Sequence, residues 1–203
     1  MNNITLAFDT CLDKMYLTLM TGGTILDTRV VENHDEKYHS AFLISTIKES
    51  LKRNNLRPED ITLIATNIGP GSFTGIRACT IVARVMAQQI GCRAIGVSSL
   101  EILSEISNNN SVVALDARKN KAYLYIDNEI KGAVDLEEVK VLCLGKNVIT
   151  DDKLLPILGG VSYQRTNAPL GDILARLAIK KAEFSDCDWR KLKPLYIQPP
   201  PMG

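Results

Sequence analysis

Short apolar runs broken by glycine and polar turns open the chain, and longer helical periodicities follow them. Residues 4–8 and 15–20 read as strands, and Gly22-Gly23 marks a hairpin turn into a third strand over 24–31. Between 38 and 54 the period lengthens. Leu43, Ile47 and Leu51 recur at i, i+4 and i+8 with Ile44 beside them, which predicts a helix. An apolar strand at 61–67 leads through a glycine turn into a second long helix at 73–90, then a short strand at 94–97. Ser98-Ser99 caps a helix of about ten residues that ends in the polar cluster 107–110. Strands are expected at 112–116, 122–127 and 129–134 and a helix at 170–182, with no element assigned over 138–165. The proline-rich tail from Pro194 reads as extended.

The polar cluster divides the chain into an N-terminal lobe, 1–107, and a smaller C-terminal lobe, 108–203, whose tail can pack on the first. An internal repeat supports two related lobes. Residues 6–19 align without gaps to 113–126, matching Ala7/Ala114, Asp9/Asp116, Lys14/Lys121, Tyr16/Tyr123 and Leu17/Leu124. Each lobe therefore opens with a strand ending in Asp, a tight turn and a second strand.

The segment of densest information is Ile68-Gly69-Pro70-Gly71-Ser72-Phe73-Thr74-Gly75-Ile76-Arg77. Gly69, Pro70, Gly71, Ser72 and Gly75 shape a turn from strand to helix start, a geometry that can aim backbone N–H groups at an anion. The lysine of a phosphate-binding loop is missing, because Ile76 follows Gly75.

Composition narrows the field. The chain has 203 residues, 45% hydrophobic and 23% charged, with a net charge of +1. Without a basic block, strong autonomous nucleic-acid binding is not expected. The five cysteines, Cys11, Cys79, Cys92, Cys143 and Cys187, show no CxxC spacing and read as free, mostly buried thiols in a reducing compartment. With neither a signal-peptide core nor a membrane-length apolar stretch, a cytoplasmic protein is expected.

Catalytic chemistry finds few candidates. His34 and His39 are the two histidines, five apart, and do not share a helix face; a His34/Asp35/His39 metal site is weaker than a role for His39 or Ser40 at a helix start. Ser72 sits on a glycine turn, but Pro70 takes the first glycine place of GxSxG, so a turn or cap role outweighs a nucleophile. Asp9 and Asp116 end two strands where an ATP-dependent kinase or carbamoyl-transfer enzyme could hold Mg²⁺ and phosphate. Their turns, Thr10-Cys11-Leu12-Asp13 and Ala117-Arg118-Lys119-Asn120, lack the glycine of a phosphate cradle.

What remains is surface. The 73–90 helix is apolar nearly all round, with Arg77, Arg84 and Gln88 as its polar sector. One stripe, Gly75, Cys79, Val82, Met86 and Ile90, can cover a sheet. A second, Ile76, Thr80, Ala83 and Ala87, has small side chains that admit another helix. On the 38–54 helix, Tyr38 and Phe42 lie off the main stripe. Either a neighbouring helix of the same chain covers these groups, or a partner does. The partner reading is favoured, with Tyr38, Phe42, Phe73, Ile76, Arg77, Thr80, Ala83, Arg84 and Ala87 as its contact residues.

Several segments closely resemble the TsaB (YeaZ) family: Leu6-Ala-Phe-Asp-Thr10, Tyr38-His39-Ser40, Ile68 to Arg77, Gly96-Val-Ser-Ser-Leu100, and Asp116-Ala-Arg118 with Tyr123. They fall in the family's order over residues 6–123; the C-terminal third matches faintly, and Gln198 stands where the family's tail carries Arg. The resemblance implies an α/β fold of actin-like, ribonuclease H-like (ASKHA) type, two-lobed, with mixed sheets and flanking helices. It also implies a scaffold subunit without catalysis or cofactor of its own in making threonylcarbamoyladenosine in tRNA. Its partners would be a TsaD-like catalytic subunit and a TsaE-like ATPase, which supply the metal and ATP chemistry. It would reach tRNA only through the complex; separately, an unfilled apolar helix face can self-pair, so a homodimer is expected when the chain is alone.

Overall fold

A computed structural model of the chain describes residues 3–32, 39–107 and 111–198. It divides into two compact units: Met1–Ser99 with Pro169–Leu195, and Leu100–Ala168 with Tyr196–Gly203.

The first unit is built on a five-stranded sheet. Strands β1 (Ile4–Asp9), β2 (Met15–Thr21) and β3 (Thr24–Val31) form an antiparallel meander, and β4 (Ile61–Asn67) and β5 (Arg93–Val97) add in parallel on the other side of β1, giving the order β3-β2-β1-β4-β5. β1 and most of β2 are buried on both faces, which explains their near-continuous apolar runs. A 3₁₀ turn at His39–Phe42 leads into helix α1 (Leu43–Arg53), whose Leu43, Ile47 and Leu51 enter the core as their spacing predicts. Helix α2 (Phe73–Ile90) spans the expected residues. Its start is fixed by Ser72, whose hydroxyl oxygen accepts the Gly75 N–H at 3.3 Å; its end is fixed by Gly91, at φ 76°, donating back to the Ala87 carbonyl.

The chain leaves this unit within helix α3 (Ser99–Ser104), six residues long rather than ten. The Ser104 hydroxyl donates back to the Glu101 carbonyl, and the Ser104 carbonyl accepts the Ser111 hydroxyl at 3.1 Å, so local side-chain bonds replace another helical turn.

The second unit repeats the strand plan. β6 (Ser111–Asp116), β7 (Lys121–Ile126) and β8 (Glu129–Asp135) form the meander, and β9 (Asn147–Thr150) and β10 (Val161–Ser162) extend it in parallel, in the order β10-β9-β6-β7-β8. The region left unassigned by pattern contains most of helix α4 (Leu136–Cys143), the short α5 (Leu155–Leu158), β9 and β10. The two opening hairpins differ by one residue. Asp9 pairs with Tyr16, but Asp116 pairs with Ala122 rather than with Tyr123, the residue the gapless repeat sets opposite it. A one-residue difference reverses the face of every following side chain: Tyr16 is buried and Tyr123 half-buried.

Helix α6 (Leu170–Ala182), assigned by sequence order to the second lobe, packs on β1 and β2 of the first unit. The close approach needs Gly171, where a Cβ would stand 2.7 Å from Thr18 Oγ1; the same Thr18 hydroxyl donates to Asp172 at 2.8 Å. The segment beyond it covers the edge of β5, with the Ala94 N–H bonded to the Cys187 carbonyl at 2.9 Å. Among the described residues, no helix is long and apolar enough to cross a membrane.

Candidate functional site

The glycine turn after β4 is packed against the chain's own backbone. A side chain at Gly75 would overlap the Thr10 carbonyl oxygen and stand 2.7 Å from its carbon; one at Gly71 would overlap the Cys11 carbonyl oxygen. The Ser72 N–H, one of the groups that would face an anion at a helix start, donates instead to the Cys11 carbonyl at 2.9 Å. The Thr10 hydroxyl donates to the Gly75 carbonyl at 3.1 Å. Gly69 holds φ 102° and joins buried Pro70 through a cis peptide bond. The place of a phosphate is thus taken by the β1–β2 turn.

Beneath the turn lies a buried polar hub that the sequence pattern does not reveal. Asn67, fully buried at the end of β4, donates from Nδ2 to Asp9 Oδ2 at 2.9 Å. Its Oδ1 accepts the Gly69 N–H at 2.8 Å and the Ser99 hydroxyl at 3.0 Å. Asp9 Oδ1 accepts the Cys11 N–H at 2.6 Å. Burial raises the Asp9 carboxyl to about 6, against the opposing effect of the Asn67 and Cys11 hydrogen bonds. Asp9 is therefore a knot between β1, β4 and the glycine turn. Asp116, in the other unit, pairs with Lys153 at 3.0 Å and accepts the Arg118 N–H at 2.9 Å. Both carboxylates are engaged within their own units.

The outward face of α2 differs from the expected one. Ile76, Thr80, Ala83 and Ala87 are buried in the first unit's interior: their small side chains let α2 pack closely within the same chain. The exposed ridge runs through Thr74, Arg77, Ile81, Val85 and Gln88, with Arg84 half-buried beside it. Ile81 is 60% and Val85 52% exposed, and pattern alone could not tell these apolar residues from core. The 3₁₀ turn before α1 packs against α2 and exposes Phe42, with Ile44 exposed at the start of α1. Phe73 is half-buried. Tyr38 and His34 lie outside the described residues, as does the His39 side chain. The five cysteines are free thiols, four of them buried and Cys92 half-buried.

The family model described as TsaD, tRNA N6-adenosine threonylcarbamoyltransferase, matches residues 30–163. The tRNA threonylcarbamoyladenosine biosynthesis protein TsaB of Buchnera aphidicola subsp. Baizongia pistaciae is 29% identical over 109 residues, covering 53% of this chain and 48% of that one. The TsaB of Haemophilus influenzae is 28% identical over 129 residues, covering 61% and 53%. The chain thus spans about half the length of the curated relatives it matches. The solved structure of YeaZ from Pseudomonas aeruginosa superposes with a TM-score of 0.71 at 21% identity, over 96% of this chain and 99% of that one.

Proposed function

The chain belongs to the family described as TsaD, tRNA N6-adenosine threonylcarbamoyltransferase, and within it to the TsaB/YeaZ group, and from that membership we propose that it serves threonylcarbamoyladenosine synthesis in tRNA as a non-catalytic scaffold. In this reading it works in the cytoplasm, binding a TsaD-like catalytic subunit and holding it competent for transfer. A TsaE-like ATPase joins the assembly, and tRNA is met only through it. ATP and the catalytic metal act in the partner subunits, and a second copy of the chain takes the same surface when no partner is present.

The observation that carries this reading is the filled glycine turn. With the Ser72 N–H spent on the Cys11 carbonyl and Gly75 pressed on Thr10, the turn positions a helix rather than a ligand. The engagement of Asp9 with Asn67 and the Cys11 N–H, and of Asp116 with Lys153, weighs in the same direction and against the ATP-dependent kinase or carbamoyl-transfer reading. The helix so positioned exposes Ile81 and Val85, with Arg77 and Arg84 alongside and Phe42 and Ile44 nearby; an apolar ridge with an arginine rim suits a helix-bundle partner.

The test is association with the TsaD-like protein of the same cell. Ile81→Asp is expected to weaken binding about 30-fold, a loss of about 2 kcal/mol, with an unchanged circular dichroism spectrum because the side chain is exposed. Binding by titration calorimetry would measure it. Native affinity in the variant removes the α2 ridge from the interface, and failure of the wild-type chain to bind at all removes the scaffold reading. Ala83→Arg cannot serve as an interface probe, since it drives a charge into the core.

A further inference from the structure

Three metal-ligating side chains, two from the end of β1 and the turn after it and one from α2, converge in the first unit. One ligand atom each from Asp9, Cys11 and Cys79 lies within 4.8 Å of the other two, and all three residues are buried. We propose that they supply three ligands to one thiophilic divalent cation of the zinc class.

The donor set selects the ion. Two sulfurs and one carboxylate oxygen suit zinc and exclude the hard oxygen-seeking cations. Two thiolates on one zinc stand ~4 Å apart, given sulfur–metal bonds of about 2.3 Å, so small side-chain adjustments close the site. Two further features point the same way. The buried Thr10 N–H donates to Cys79 Sγ at 3.2 Å. A neutral thiol is a weak acceptor and a metal-bound thiolate a strong one, so this N–H gains a proper partner when the ion binds. Asp9, in turn, has no basic side chain against it among the described residues. It is oriented by Asn67 and the Cys11 N–H, which would form the outer shell of a bound ion. The Cys11 thiol, now donating to the Asn67 carbonyl at 3.4 Å, would turn toward the ion. Binding releases the two thiol protons to solvent, leaves the carboxylate ionised and oxidises nothing.

The test uses the full chain, reduced and treated with a chelator, then given zinc or cobalt(II) and desalted. Elemental analysis is expected to find one zinc per chain, and the cobalt form is expected to show a thiolate-to-metal charge-transfer band. Both signals should survive Cys92→Ser and vanish in the Cys11→Ala/Cys79→Ala double variant. Zinc retained equally by the double variant overturns the proposal, as does a failure of the native chain to retain zinc. A cobalt spectrum without thiolate character overturns it on the native chain alone, whether or not the variants fold.

Discussion

Gly75→Ala is expected to lower the stability of the protein by about 4 kcal/mol, among the larger single-site losses. The direction is diagnostic. Inside a helix, glycine to alanine ordinarily stabilises by up to about 1 kcal/mol, because alanine has less backbone entropy to lose. Here the new Cβ overlaps the Thr10 carbonyl oxygen, a backbone atom anchored at the end of a central strand, and no flexible side chain can move aside. Either α2 lifts from the β1–β2 turn or the turn itself opens. Both responses break the Ser72–Cys11 and Thr10–Gly75 hydrogen bonds. Urea unfolding of the two proteins measures the difference, and a midpoint equal to or above that of the native chain would falsify the packed-turn account.

Asn67→Ala is expected to cost about 3 kcal/mol through a different mechanism. The substitution leaves a small void, but its main effect is on the groups left behind. The Gly69 N–H and the Ser99 hydroxyl lose their acceptor, and the buried Asp9 carboxylate loses one of its donors. Buried polar groups without partners are costly in proportion to how completely water is excluded, and both Asn67 and Asp9 are almost entirely shielded. Asn67→Ser, which keeps a donor and an acceptor though shorter, should recover part of the loss. If the alanine variant unfolds within about 0.5 kcal/mol of the native protein, the hub does not hold the turn.

Much of this architecture was legible in the order of residues, for reasons specific to each element. Helix α2 carries its own boundaries, Ser72 able to cap and Gly91 able to adopt a left-handed conformation, so both ends agree with the expectation. The meander β1-β2-β3 is legible because Gly22-Gly23 marks its tight turn between apolar runs. The orientation of α2 was not legible. Ile76 and Ile81 are the same residue type; one is buried and the other exposed because the sheet and the turn before α1 approach from one side, which no local periodicity encodes. Asn67 is equally opaque: its partners Asp9 and Ser99 lie 58 and 32 residues away, and a lone asparagine at a strand end reads as a turn residue. The pairing of Cys11 with Cys79 has the same cause, a juxtaposition created by the crossover from β1 to β4 and back along α2.

Helix α6 completes the first unit although it lies some seventy residues of second-unit chain beyond α3. On the ribosome, then, the β1–β2 surface that receives Gly171 and Asp172 emerges early and waits uncovered while all of the second unit is translated. The nascent protein carries an open β1–β2 flank through that interval, and a stop codon before residue 170 leaves the first unit without the helix that closes it.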